Sequence, residues 1–143
     1  MENSNENLTT IVSTVNNQCF GCGPANSTGL QLEFSAAPGD VVVCDTAIPN
    51  SFESYPGYLH GGIIATLLDE VMSKAVCTHG VSAMTRQMEI EYLRPVPSGK
   101  PIRLEGRVLR SEGRNYWVNA TVSNSRGTAL ALAKGHFIQV RSR

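Results

Sequence analysis

The sequence has no excess of charge: twelve lysines and arginines balance twelve aspartates and glutamates in 143 residues. A balanced chain sets up no overall field, so neither nucleic acid nor an anionic membrane surface is expected as a partner. No apolar run approaches the roughly 20 residues that a spanning helix needs, and the opening MENSNENLTT is too polar for a secretory signal. A cytoplasmic location is the expectation that follows. Cysteine is sparse, and Cys19, Cys22, Cys44 and Cys77 are too scattered for a disulfide framework. Cys19 and Cys22 do form a C-x-x-C. No second C-x-x-C and no H-x(3 to 5)-H offers two further ligands at compact spacing, and no strand and helix frame of a redox motif surrounds the pair. Neither a metal nor any other cofactor is therefore expected.

What remains is an ordinary globular composition, 41% hydrophobic and 17% charged, at the common length of one domain. The domain is expected over 19–143, after a flexible segment 1–18. That segment is polar at first and then mixed at Leu8, Ile11, Val12 and Val15, which suits one short amphipathic turn of helix. Residues 19–26 form a glycine- and proline-rich loop leading into an alternating strand over 30–35. Pro38-Gly39-Asp40 makes a turn, and the β-branched run 41–48 completes a hairpin.

After a loop over 49–59, residues 61–78 have the length and pattern of a helix. Ile64, Leu67, Leu68, Val71 and Ala75 form one stripe, which Ile63, Ala65, Met72 and Val76 extend around most of the circumference, so the helix is expected to be buried. Glu70 and Lys74 are spaced to pair on a narrow solvated strip, while Gly62, Thr66, Asp69 and Ser73 share a face of small or polar residues. Four strands follow, over 83–94, 102–110, 116–123 and 128–140, separated by marked turns. In the first of them Met84, Met88, Ile90 and Tyr92 alternate with polar residues, as on a strand with one buried face, and Arg86 breaks the register. Two strands, one long helix and four strands, with no doubly wound alternation, predict an α+β domain: a six-stranded antiparallel sheet wrapped around one helix.

This order, with three local strings, resembles the hotdog-fold acyl-CoA thioesterases of the phenylacetate-pathway and thioesterase-superfamily-member type. The strings are Tyr58-Leu59-His60-Gly61-Gly62 followed by Asp69 on the helix, Tyr92-Leu93-Arg94-Pro95 at a strand end, and the early CFGCG followed by Asn26 and Gly29-Leu30. The resemblance spans about residues 19–140. It implies hydrolysis of an acyl-coenzyme A to free acid and CoA, and a homodimer or a homotetramer built as a dimer of dimers. It also implies an active site between two subunits.

The residues bear on that chemistry directly. A thioester carbonyl under attack develops negative charge, and the free N–H groups at a helix N-terminus can meet it where Gly61 and Gly62 present no side chain. Asp69, seven residues after Gly62 and on nearly the same face, suits either a general base acting on water or a nucleophile. His60, immediately before the helix, suits a positioning hydrogen bond rather than acid or base duty. The resemblance further places a hydroxyl residue on the partner's third strand, a position that Thr85 occupies, and an amide or other polar residue in the loop six positions before the histidine, where this chain has Ser54; Asn50 or Ser54 is the candidate to take that part. CoA phosphates call for cations; Arg94, Arg110, Arg114 and Lys134 are available, and Arg94, His60, Ser54 and Asn50 are the candidate substrate-binding residues. Two other readings stay open: a non-catalytic hotdog domain that binds acyl thioesters, which retention of Asp69 disfavours, and a hydratase or dehydratase, whose signatures are not found.

Overall fold

Helix α1, Gly61–Cys77, contains no proline and is apolar around most of its circumference. Ile64, Leu67, Leu68, Val71, Met72, Ala75 and Val76 are all buried. Burying that surface requires a partner with an apolar face, and a single antiparallel sheet supplies it. In the computed structural model, which describes residues 7–14 and 16–140, the strands are β1 (Thr9–Ile11), β2 (Phe34–Ala37), β3 (Val41–Thr46), β4 (Ala83–Tyr92), β5 (Ile102–Glu112), β6 (Asn115–Asn124) and β7 (Ala129–Gln139). Their order across the sheet is β1-β2-β3-β5-β6-β7-β4, with every neighbouring pair antiparallel. The helix lies across β5 and β6 and reaches β3, β4 and β7. Leu104, Val118, Val122, Ala131 and Phe137 meet it from the sheet. Among the described residues no helix is long and apolar enough to cross a membrane.

The hotdog architecture expected from the sequence is present, with three differences. The sheet has seven strands rather than six, because Thr9–Ile11 pairs with β2 in place of the expected helical turn. Val15 lies outside the described residues. Residues 30–33 are not strand. Gln31 takes φ 52°, a left-handed conformation incompatible with a ladder, and the Leu30 and Leu32 amides donate to the carbonyls of Phe20 and Gly21 instead. The ladder therefore starts only at Phe34. Finally, β4 is an edge strand whose alternation is broken by a bulge between Thr85 and Gln87. Met84, expected on a buried face, is 65% exposed.

Helix and sheet approach closely at a glycine. A Cβ on Gly106 of β5 would lie 2.7 Å from the Val71 carbonyl oxygen. On the same stretch of β5, Arg103 clasps Asp45 of β3 through two bonds of 2.8 Å. That hydrogen-bonded guanidinium holds the Asp45 carboxyl below the usual carboxylate range, against the smaller opposing effect of partial burial. A carboxyl lowered in the folded state adds stability above its unfolded value, ordinarily about 3.9, and gives it up as pH falls through the lowered one. Asp45→Asn is accordingly expected to cost at most about 1 kcal/mol at pH 7, because the pair is solvated. The difference in urea midpoint from wild type should shrink at pH 3, and an equal difference at both pH values would refute this account.

Candidate active site

His60 stands at the entrance to α1, extended at φ −62° and ψ 140°, and its Nδ1 accepts the Gly62 amide at 2.9 Å. Its carbonyl accepts the amides of Ile63 and Ile64, and its own amide donates to Phe52. The ring is thereby hydrogen-bonded to the first turn of the helix. Of the donors at the helix start, the Gly62 amide is thus engaged by the histidine ring, and among the described residues only the Gly61 amide is left without an acceptor. The Gly61 carbonyl accepts the Tyr92 hydroxyl at 2.9 Å, which fixes this first turn against the end of β4. Sequence reasoning does not pick out Tyr92 as a site residue, although it opens the Y-x-x-P string.

Two turns along, half-buried Asp69 receives the Thr85 hydroxyl on Oδ1 at 2.6 Å. The expectation puts Thr85 on a partner's strand. The structure instead forms this pair within one chain, and the bulge explains how. Met88, Ile90 and Tyr92 turn toward the helix side of β4, as their pattern predicts. Strict alternation would carry that side back to Arg86 and Met84, but the extra residue at Arg86 reverses the parity, so Thr85 points toward Asp69. The broken register at Arg86 is the signal in the sequence.

The loop before the helix is tied down by the Leu59 amide on the Val96 carbonyl, the Ser54 amide on Tyr58, and the Ser98 hydroxyl on Glu53. Asn50 begins a short 3-10 turn, Asn50–Phe52, and both Asn50 and Ser54 are exposed. Among the described residues no hydrogen bond links either side chain to Asp69 or Thr85. Arg94 is exposed just beyond β4. Arg110 lies over the Trp117 ring at 3.6 Å, and Arg114 donates to the Gln139 carbonyl, so both have structural employment. His136 stacks on Trp117 and pairs with Asn115 at 2.8 Å, and His79 meets the Tyr116 ring.

Glu70 departs from its expected solvated pairing with Lys74. It is half-buried, and its Oε1 accepts the Cys19 thiol at 3.0 Å, whereas no Glu70–Lys74 ion pair is found among the described residues. Burial first, and then the negative charge of Glu70, push the neighbouring Cys22 thiol up to about 11. Cys19, Cys22 and Glu70 present ligand atoms within 4.8 Å of one another, a grouping that compact sequence spacing does not reveal.

Comparison with known proteins gives the family. The family model of the thioesterase superfamily matches residues 56–131. Human acyl-coenzyme A thioesterase 13 is 31% identical over 103 residues, covering 71% of this chain and 72% of its own length. A crystal structure of a thioesterase superfamily protein superposes with a TM-score of 0.81 at 25% identity, over 85% of this chain and 60% of that one. A Streptococcus mutans protein bound to acetyl CoA gives 0.71 at 25% identity, over 78% and 90%.

Proposed function

As a member of the thioesterase superfamily the chain is a thioesterase, and we propose that it hydrolyses acyl-coenzyme A thioesters with Asp69 as the reacting carboxylate. The observation that carries this reading is the Thr85–Asp69 hydrogen bond. The hydroxyl anchors Oδ1 and fixes the rotamer, which leaves Oδ2 as the working oxygen, either to take a proton from water or to attack the thioester carbon. The expelled CoA thiolate is a good leaving group, so no metal is required. The Gly61 amide is the donor assigned to the carbonyl oxygen; the Gly62 amide acts instead through its bond to His60, which holds the loop.

One chain does not bring these groups together. At about 1.5 Å rise per residue, Gly61 and Asp69 stand roughly 12 Å apart along the helix, too far for one carbonyl to meet both. The reading therefore places Asp69 and Thr85 of one copy opposite the Gly61 amide of another, in a homodimer or dimer of dimers. Edge strand β4, with Met84 and Tyr92 more than half exposed, is the surface on which such a copy would pair. Arg94, Ser54 and Asn50 remain candidates for contacts to the CoA portion.

The test is release of free thiol from a panel of short, medium and aromatic acyl-CoAs. Tight binding without turnover of any of them would favour a carrier or sensor instead. Gly61→Ala sharpens the test. A methyl group at Gly61 would have no neighbour closer than 3.8 Å, so the melting temperature should hold. A substrate approaching that amide would meet the methyl group, and kcat/KM should fall by about tenfold or more. Unchanged kinetics would remove the Gly61 amide from the mechanism.

A further inference from the structure

The loop 19–23 is folded against the helix more tightly than a connector needs. Gly21 is buried, and a Cβ there would lie 2.3 Å from the Glu70 side chain, so the loop packs directly onto that carboxylate. A Cβ on Gly23 would meet the Cys19 amide nitrogen at 2.4 Å. The turn is also pinned by the Gly23 amide on the Cys19 carbonyl at 2.8 Å and by the Cys19 amide on Asn17 Oδ1 at 2.9 Å. What this construction brings together is two free thiols, one from each end of the C-x-x-C, and a carboxylate from 51 residues further along the chain.

We propose that Cys19, Cys22 and Glu70 bind one zinc ion, with water as the fourth ligand, and that this ion clasps the N-terminal loop to α1. Tetrahedral zinc with Zn–S near 2.3 Å and Zn–O near 2.1 Å sets its ligand atoms roughly 3.6–3.8 Å apart. The three atoms here already lie within 4.8 Å of one another, so binding asks for side-chain adjustments of about an ångström or less. Two thiolates select against magnesium and calcium, and the mixed sulfur and oxygen set suits zinc. Binding exchanges protons for the cation: Zn²⁺ displaces both thiol protons to solvent, with no change of oxidation state. The resulting site carries one net negative charge, and Lys74, one turn beyond Glu70, acts electrostatically on Cys22 from the opposite sign. The ion sits beside Asp69 in sequence but about 100° around the helix from it, so it restrains that turn of α1 without touching the substrate.

The experiment uses the full chain, purified without a metal-binding tag under reducing conditions, loaded with zinc and dialysed against metal-free buffer. Elemental analysis should find one zinc per chain. Cobalt(II) put in its place should give the intense thiolate-to-metal charge-transfer absorption of a two-sulfur site. Both signals should be lost in Cys19→Ser and in Cys22→Ser and kept in Cys77→Ser, whose thiol is exposed elsewhere. Glu70→Gln should lose cobalt to a chelator that leaves wild type loaded. Where Cys22→Ser fails to fold, the half-buried Cys19 carries the comparison through Cys19→Ser. A chelator should also lower the melting temperature of loaded wild type and leave that of Cys19→Ser unchanged. Metal lost on dialysis, or retained equally by the serine variants, overturns the proposal.

Discussion

Asp69→Ala is expected to lower kcat/KM for acyl-CoA hydrolysis by at least about a hundredfold while leaving the fold intact. The substitution removes the working oxygen itself, and a factor of one hundred corresponds to about 2.7 kcal/mol of lost transition-state stabilisation. Stability should change little, because Asp69 is only half-buried and, among the described residues, its side chain bonds to Thr85 alone. Thr85→Val should cost less, about tenfold, since it keeps the carboxylate and the strand shape but releases the rotamer. Because Thr85 acts through Asp69, the double variant should be no slower than Asp69→Ala alone, a non-additivity that independent sites would not give. Single-turnover hydrolysis in ¹⁸O-labelled water then separates the two chemistries. Attack by the carboxylate expels CoA thiolate and forms an anhydride, and water that opens it at the aspartyl carbonyl leaves label in the protein and unlabelled acid in solution; a carboxylate that only deprotonates water stays unlabelled, so label in the protein identifies the nucleophilic path. An alanine variant as fast as wild type would sink the assignment of Asp69.

Much of this site is legible in the amino-acid sequence, for reasons that differ from residue to residue. The helix shows itself because burial demands an apolar circumference, and its start shows itself because a chain turning sharply into a buried helix needs glycine and a cap. His60 ahead of Gly61-Gly62 states both. Asp69 stands out as a carboxylate on an otherwise small or apolar face. The pairing with Thr85 is legible only as a position, because the bulge at Arg86 inverts which side chains face the helix, and a one-residue insertion has no periodicity of its own. The apolar alternation of β4 reads as a buried face. Met88 and Ile90 do pack against the core, but the strand lies at an edge of the sheet and leaves Met84 and Tyr92 uncovered, which the apolar pattern by itself does not tell. Glu70 misleads for a related reason. Helical spacing predicts its neighbour at Lys74, but the loop that covers it comes from 51 residues nearer the N-terminus, and such contacts carry no local signal. The strand at Thr9–Ile11 escapes a sequence reading because three residues give too little pattern to separate one period from another.

Gly106→Ala should lower stability by about 2–3 kcal/mol, because the added methyl group would wedge α1 away from β5. Glycine to alanine in a strand ordinarily stabilises slightly, since the unfolded chain loses freedom and the backbone conformation suits alanine. Gly106 has no positive φ to forbid the change, so the outcome rests on space alone. That space is occupied: the new Cβ would sit 2.7 Å from the Val71 carbonyl oxygen and 3.0 Å from its carbonyl carbon, both backbone atoms that no rotamer change can move. Helix and sheet must separate, loosening the contacts of Val71, Leu67 and Leu104, each fully buried. Urea unfolding should show a lower midpoint at an unchanged slope. Activity should fall as well, because Val71 is two residues from Asp69, and a shift of the helix by a few tenths of an ångström lengthens the 2.6 Å bond from Thr85 that orients the carboxylate. Gly61→Ala is the matched comparison, a methyl group added where there is room. If both variants unfolded at the same urea concentration, the close approach of α1 to β5 would not be what sets the helix against the sheet.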